Sequence, residues 1–260
     1  MQTRYGEIAI ELEPQFAPHH VARMRALARA HFYDGLSFYR VIDGFVAQGG
    51  IGEDANVKKV HPRRTIELKN YPPLKAEFDR PTADIAAPFA PTGSPDLFAP
   101  ETGYVRGFPV GRDPKEGRAW IIHCPGTFAF ARDVAPDTAS TEFYIVIGEA
   151  PRRLDRNLTA FGRVIAGMRY VQKLRRGDPA IANGVIQDPA KRDTILSVRL
   201  AADLPAAKRP HYQVMRTPSP AFAAWKKARI NPMPAFYVHA PPKILDVCLA
   251  PIPARLVPPG

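Results

Sequence analysis

The chain has 260 residues, of which 45% are hydrophobic, with a mean hydropathy of −0.22 and a formal net charge of +11. This composition suffices for a sizeable globular core, and no apolar run approaches the ~20 residues that span a bilayer. Residues 201–260 carry 8 basic and 2 acidic side chains, but the basic ones are scattered among prolines, whereas a nucleic-acid site gathers them on one element with aromatics. We therefore expect no membrane span and no nucleic-acid binding. We also expect a monomer.

Proline divides the chain into two kinds of segment. Of 29 prolines, 9 lie in residues 71–114 and 12 in residues 201–260. Because proline lacks a ladder N–H and is confined to sheet edges and turns, both segments are poor candidates for central strands. The sequence predicts a core from residues 4–70 and 117–200, an irregular proline-rich insertion at 71–116 and a C-terminal extension at 201–260.

The first predicted elements are a strand and a helix. In "GEIAIELEP" apolar side chains alternate with polar ones, which predicts a strand, and residues 17–35 have apolar side chains at helical spacing. A strand this early indicates no signal peptide, although so abrupt a start also fits a trimmed or mis-started exported chain. A periplasmic location is expected in that case, and a cytoplasmic one is the alternative. His19 and His20 lack the spacing and the partners of zinc ligands, so no metal is expected.

A hairpin is predicted next, over "GLSFYRVIDGFVAQGG" at residues 35–50. Its Asp43-Gly44 pair lies between two apolar runs, which is a strong turn signal. Arg40 and Gln48 then lie on opposite arms and can share a face. Such a pair among aromatic residues is either a satisfied structural pair or the floor of a binding groove.

Short strands dominate the rest of the core. "RAWIIHCPGTFAFAR" and "TEFYIVIGE" are rich in β-branched and aromatic residues, a further strand surrounds residues 161–165, a second helix begins near residue 168, and "DTILSVRLAAD" ends the core with one more strand. Six or more short strands and two helices without a βαβ rhythm predict a mainly β fold, an antiparallel barrel capped by helices.

The C-terminal extension also contains predicted structure. "SPAFAAWKKARI" at 219–230 predicts a short helix with an aromatic side, "KILDVCLAPIP" at 243–253 predicts a strand, and the extension is expected to pack on the barrel. Cys124 and Cys248 both lie among apolar residues, which favours two buried free thiols; one disulfide is the alternative in an oxidising compartment.

Three motifs in order resemble those of the cyclophilins: "FYRVIDGFVAQGG", "GTFAFARDVAPDTASTEFYIVIG" and "LDRNLTAFGRVIAGMRYVQKL". The resemblance covers residues 4 to about 50 and 117–200. Within the insertion, only "LKAEF" near Glu77 resembles the family sequence. It implies an eight-stranded antiparallel barrel capped by two helices, a domain over residues 1–200, and peptidyl-prolyl cis-trans isomerase activity without a cofactor.

The resemblance also implies roles for individual residues. Arg40 corresponds to the catalytic arginine and Gln48 to the glutamine that steadies it. Ala131 and Arg132 correspond to the extended backbone that pairs with substrate. The substrate-binding positions are Phe45, Val46, Ala131, Arg132, Glu142, Tyr144, Leu154 and Leu158.

An arginine suits this reaction for a physical reason. Rotation about a prolyl amide costs ~18–20 kcal/mol because the C–N bond has partial double-bond character. In the twisted state the nitrogen regains a lone pair, so a guanidinium that donates to it stabilises the transition state more than the planar ground state. Arginine stays protonated and holds its donors in a fixed fork.

Four positions depart from the family pattern: Glu142 replaces the usual glutamine, Tyr144 phenylalanine, Arg153 a frequent tryptophan and Leu158 a frequent histidine. Glu142 matters most, because a carboxylate near Arg40 would pair with it and compete with substrate; a solvent-facing Glu142 is the alternative.

Taken with its three motifs, the sequence favours a prolyl isomerase that catalyses protein folding on proline-containing polypeptides. The alternative function is a cyclophilin-fold peptide-binding or chaperone-like module with weak or no turnover.

Overall fold

The computed structural model describes residues 1–52, 67–231 and 234–257; part of the predicted core range 4–70 therefore lies outside the described residues. None of the helices in these ranges is both long and apolar enough to cross a bilayer. The strands of the first sheet are β1 (Gln2–Thr3), β2 (Gly6–Glu7), β3 (Ala9–Leu12), β4 (Ser37–Val41), β5 (Val46–Gly50), β11 (Thr127–Phe130), β12 (Phe143–Val146), β13 (Ala160–Ala166) and β14 (Asp193–Ser197).

These strands form one antiparallel sheet in the order β2-β1-β14-β4-β5-β12-β11-β13-β3, which curls into a nearly closed barrel. The barrel interior is filled by aromatic and aliphatic side chains, among them Phe38, Phe128, Phe143 and Phe161, all fully buried. The mainly β barrel predicted from the sequence is confirmed.

Helix α1 (Pro18–Arg29) covers one end of the barrel. It begins with proline, whose fixed φ suits a first helical turn, and it buries Val21, Met24 and Leu27 against the barrel core. A second helix was predicted from about residue 168; α2 (Met168–Val171) is a single turn, which begins after Gly167 at a φ of 87°.

The predicted hairpin is present as β4 and β5. Gly44 lies in the turn with a φ of 69°, a conformation that favours glycine. The Ile42 N–H donates to the Val46 carbonyl at 2.9 Å. The register sets Arg40 opposite Gln48, so both side chains point to the same, outer face of the barrel.

A second sheet occupies the segment predicted to be an irregular insertion, so that prediction was wrong. Its strands are β6 (Arg80–Pro81), β7 (Phe89–Pro91), β8 (Glu101–Val105), β9 (Phe108–Asp113) and β10 (Arg118–Ile121), in the order β6-β10-β9-β8-β7. The prolines of β6 and β7 are accommodated because both are edge strands. The central hairpin β8–β9 turns at Arg106 and Gly107, both at positive φ.

The C-terminal residues were expected to pack on the barrel, but they pack mainly on this second sheet. We call the two together the second lobe. Helix α3 (Pro220–Ile230) is present as predicted, with the Ser219 hydroxyl accepting from the Phe222 N–H at 3.0 Å. Phe222, Leu245 and Val247 join a buried cluster with Tyr104 and Trp120 of the sheet.

The strand predicted at residues 243–253 is absent; this stretch is irregular, and β15 (His211–Val214) pairs instead with β16 (Ala254–Val257). Pro251 and Pro253 lack ladder donors. The Asp246 carboxylate accepts from the N–H groups of Cys248 and Leu249 at 2.7 and 3.1 Å, which turns the chain.

The two cysteines form a disulfide, so the expectation of two free thiols was wrong. The turn after Asp246 brings the Cys248 Cα to 4.9 Å from that of Cys124, which follows β10. The link joins the C-terminal segment to the junction of the two sheets, across 124 residues of sequence.

Candidate active site

One row of side chains crosses five strands on the outer face of the barrel. Arg40 of β4 is opposite Gln48 of β5, Gln48 is opposite Tyr144 of β12, and Tyr144 is opposite Ala129 of β11, which is opposite Ala160 of β13. Directly opposed residues in antiparallel strands share a face. The register thus sets the predicted catalytic arginine beside its predicted partner and one predicted pocket residue.

Two of the three nitrogens of the Arg40 guanidinium are held by the protein. Its Nη1 donates to Gln48 Oε1 at 3.0 Å and its Nε donates to the Asn183 carbonyl at 2.7 Å. Gln48 is itself oriented, since its Nε2 donates to the Tyr39 hydroxyl at 2.6 Å. Within the described ranges Arg40 forms no ion pair and its Nη2 makes no hydrogen bond. The side chain is half-buried, so a fixed cation presents free donors at the surface.

The predicted apolar wall lies between the two lobes. Val46 and Tyr144 are only 3% exposed, because the second sheet covers this part of the barrel's outer face, whereas Phe45 and Leu158 stay half-exposed and pack on the same cluster. We call the buried set the interlobe cluster: Phe16, Val46, Val105, Phe108, Val110, Ala119, Ile121, Ala129, Tyr144, Val146 and Ala160. The half-buried Leu154, also predicted for this wall, does not join the cluster.

Ala131 and Arg132 lie just past the end of β11, on the same side of the site. The Ala131 N–H donates to the Glu142 carbonyl at 2.8 Å, which continues the ladder with β12. The Arg132 side chain donates to the Val134 carbonyl of its own loop at 2.8 Å and to the Asn157 carbonyl of the loop before β13 at 2.9 Å. In the described part of the chain the Arg132 N–H makes no hydrogen bond, so it is available to an extended peptide.

Glu142 forms no ion pair with Arg40 in the structure, so the inhibitory pair suggested by the sequence is absent. Its carboxylate lies over Gly50 and accepts from the backbone N–H groups of Ile51 at 2.9 Å and Gly52 at 3.4 Å. A carboxylate satisfied by backbone donors supports the chain that leaves β5.

Sequence reasoning missed two residues that touch the site. Asn183 belongs to an irregular segment whose approach to β4 is a long-range contact, and no local pattern marks it. His123 lies in an apolar run, fully buried, with its Nε2 2.8 Å from the Tyr144 hydroxyl. Burial, with a smaller effect of the Asp155 charge, raises the pKa of Tyr144 well above its usual range, so this hydroxyl stays protonated.

The described residues contain no cluster of three or more histidine, cysteine, aspartate or glutamate side chains that could hold a metal ion. The site thus consists of a fixed guanidinium, its amide partner and an adjoining apolar wall.

Comparison with known proteins identifies the family to which the chain belongs. The family model described as cyclophilin type peptidyl-prolyl cis-trans isomerase/CLD matches residues 1–200. The chain belongs to this family. A probable peptidyl-prolyl cis-trans isomerase of Brucella suis biovar 1 (strain 1330) is 30% identical over 205 residues, which are 78% of this chain and 82% of the relative. Peptidyl-prolyl cis-trans isomerase B of Bacillus subtilis (strain 168) is 28% identical over 173 residues, 66% of this chain and 86% of the relative.

A solved structure extends the likeness beyond the barrel. The crystal structure of the cyclophilin AquaCyp293 from Hirschia baltica matches with a TM-score of 0.76 and 26% identity, covering 98% of this chain and 88% of that one. Because the match spans nearly the whole chain, it includes the second lobe. The protein is therefore a cyclophilin and a peptidyl-prolyl cis-trans isomerase, as the sequence motifs predicted.

Proposed function

We propose that Arg40 is the catalytic residue of this isomerase and that its free Nη2 donors act on the prolyl nitrogen as the X-Pro bond twists. The observation that carries this proposal is the hydrogen bonding of the guanidinium. Its Nε and Nη1 donate to Asn183 and Gln48, and its Nη2 makes no hydrogen bond within the described residues. The held nitrogens fix the plane of the fork, so the free one has a defined direction.

The same geometry explains why such a site accelerates rotation. A planar amide nitrogen is a poor acceptor, and the lone pair returns only when resonance is lost. A donor fixed beforehand therefore binds the twisted state more strongly than either planar isomer, at no reorganisation cost. The apolar wall formed by Phe45 and Leu158 would hold the pyrrolidine ring while the other side of the bond rotates.

We propose extended proline-containing segments of polypeptides as substrates, which makes the protein a folding catalyst. The Arg132 N–H supports this, because it has no hydrogen-bond partner among the described residues and can pair with a substrate main chain as an added strand would. The proposed partner set contains no nucleic acid and no membrane, and the enzyme is proposed to act as a monomer.

Kinetics of Arg40 variants test the catalytic assignment. Arg40→Ala should lower kcat/KM for a short X-Pro peptide by roughly 10²- to 10³-fold, the usual loss for one transition-state donor. Arg40→Lys should not restore it, because an ammonium lacks the fork that Gln48 and Asn183 hold. Arg25→Ala, on the exposed face of α1, is the matched control and should keep wild-type activity. Comparable turnover of wild type and Arg40→Ala would exclude the assignment.

We further propose that the protein works in an oxidising compartment, the periplasm in a bacterial cell. The Cys124–Cys248 disulfide supports this location, since such bonds are rare in reducing cytosol. Alkylation of the denatured protein, isolated from its own cell without reductant, should then find no free thiol, and modification of both cysteines would contradict the proposal.

A further inference from the structure

A buried hydrogen-bonded chain begins at the hydroxyl of Tyr144. The His123 ring accepts or donates through Nε2 at 2.8 Å from that hydroxyl, and its Nδ1 lies 3.0 Å from Asp155 Oδ1. Because a carboxylate only accepts, Nδ1 carries a hydrogen, and with one hydrogen on the ring Nε2 is the acceptor. Tyr144 therefore donates to His123, and the ring of His123 is fixed in turn by Asp155, which also accepts from the His123 backbone N–H at 2.9 Å.

The chain continues into the second lobe. Asp155 Oδ2 accepts from Arg152 Nε at 2.7 Å, and the two terminal nitrogens of Arg152 donate to the two carboxylate oxygens of Asp96 at 2.8 and 2.9 Å. Asp96 Oδ1 also accepts from the N–H groups of Phe98 and Ala99 at 2.8 and 2.9 Å. Paired and bidentate contacts of this kind give geometric specificity in addition to attraction. The barrel wall is thus tied to one defined loop of the second lobe.

At its other end the chain reaches the catalytic row. Tyr144 is directly opposite Gln48 in the ladder of β5 and β12. Gln48 in turn accepts from Arg40 at 3.0 Å. The half-exposed Phe45 and Leu158 pack on the cluster that contains the Tyr144 ring. A shift of that ring would therefore move the wall that contacts a bound proline.

We infer that His123 is a positioning residue of this isomerase: it holds the Tyr144 hydroxyl, fixes the aromatic floor of the prolyl pocket, and is itself anchored in the second lobe through Asp155, Arg152 and Asp96. The inference rests on the proposed function, because it assigns His123 to the pocket beside Arg40. The inference follows from burial: a buried hydroxyl that loses its acceptor is unsatisfied, so the Tyr144 ring shifts or a water enters to satisfy it.

The expected kinetic signature separates His123 from Arg40. The pocket grips the pyrrolidine ring in planar and twisted states alike, so a displaced floor weakens uniform binding and raises KM with little change in kcat. Removal of the His123 acceptor should raise KM about tenfold, within the range expected for one unsatisfied buried polar group. Loss of Arg40, which acts on the twisted state, should instead lower kcat.

A double-mutant cycle tests the inference. The four proteins are wild type, His123→Leu, Tyr144→Phe and the double variant, each assayed for kcat and KM on one X-Pro peptide, with folding checked by thermal melting. His123→Leu should raise KM about tenfold with kcat within about twofold of wild type. Added to Tyr144→Phe, the same substitution should change KM by less than about twofold, because no hydroxyl remains to be held. A histidine that only filled space would raise KM equally in both backgrounds, and that result, or an unchanged KM in His123→Leu, overturns the inference.

If His123→Leu does not fold, a second pair of variants tests the same inference. Asp96→Asn breaks the bidentate pair at the far end of the chain, and Glu101→Gln breaks a pair with Arg112 of 2.6 Å in the same sheet but outside the chain. Asp96→Asn should raise KM, and Glu101→Gln should not; equal values in the two variants contradict the inference. If wild type and Arg40→Ala turn over equally, the catalytic assignment fails; if they differ and the His123 cycle shows no coupling, only the positioning role fails.

Discussion

Loss of the disulfide should cost a large part of the protein's stability. The perturbation is Cys124→Ser combined with Cys248→Ser, which opens a link across 124 residues of sequence. In the chain-entropy description a loop of this length contributes about 5 kcal/mol, the upper end of the usual range of about 2–5 kcal/mol for native disulfides. For a chain of this size that corresponds to a fall in Tm of about 10–20 °C if the lobes melt together.

The chain contains a convenient reporter for this experiment. Its two tryptophans, Trp120 and Trp225, both belong to the cluster in which the C-terminal segment packs on the second sheet. Tryptophan fluorescence therefore follows docking of that segment, and far-UV circular dichroism follows the whole fold. The double serine variant should melt earlier by both probes, with the fluorescence transition first if the segment detaches before the barrel unfolds.

Reductant provides the matched control. Wild type with dithiothreitol should melt like the double variant, and the variant should not respond to reductant. A variant whose Tm stays within about 2 °C of oxidised wild type by both probes would refute the reasoning, since it would show that the link constrains neither the folded nor the unfolded chain.

Two further outcomes concern single carboxylates. Glu142→Gln should leave kcat/KM for an X-Pro peptide unchanged or lower it, because the carboxylate accepts from the Ile51 backbone and not from Arg40. A rise in kcat/KM would instead support the hypothesis that Glu142 inhibits by pairing with Arg40. Burial would raise the pKa of Glu77, but hydrogen bonds from the His20 ring and from the backbone at the start of α1 outweigh it and hold the pKa below its usual range. The contribution of Glu77 is thus complete above its unfolded pKa of about 4.3 and is lost as the pH falls through the lower folded pKa. Urea midpoints of wild type and Glu77→Gln should accordingly differ most near pH 7 and converge as the pH falls from about 5 towards 3, and a constant difference would contradict the assignment.

Local sequence patterns predicted the contact in the site that forms between residues close in sequence, the Arg40–Gln48 pair. The turn residues and the period of two set Arg40 against Gln48, because only eight residues separate them along one hairpin. The barrel followed from short alternating strands, and the pocket residues from the resemblance. Asn183 could not be predicted, since its contact with Arg40 spans 143 residues and involves a backbone carbonyl that every residue type possesses.

The wrong predictions have one physical source, which is tertiary context. Proline is usually confined to edges and turns, and β6 and β7 are edges, but the central strand β9 also contains Pro109 beside its turn; proline density therefore could not reveal the second sheet. Apolar surroundings favour a free thiol for Cys124 or Cys248 alone, and only the fold shows that the two meet. Glu142 was considered as a partner of Arg40 because it replaces the glutamine usual in the family, but its carboxylate accepts from the backbone N–H groups of Ile51 and Gly52.

The second lobe covers one part of the barrel's outer face and leaves the part around Arg40 accessible. Val46 and Tyr144 would expose a large apolar patch if the barrel stood alone, and the second sheet buries both almost completely. Arg40 on the same face remains half-buried, with its Nη2 free within the described ranges. The proposed floor of the prolyl pocket thus lies at an interface between lobes, whereas the proposed catalytic Arg40 belongs to the barrel. A change that loosens the second lobe should therefore weaken substrate binding before it slows rotation of the bound peptide, since the described residues that hold the guanidinium, Gln48 and Asn183, lie outside the second lobe.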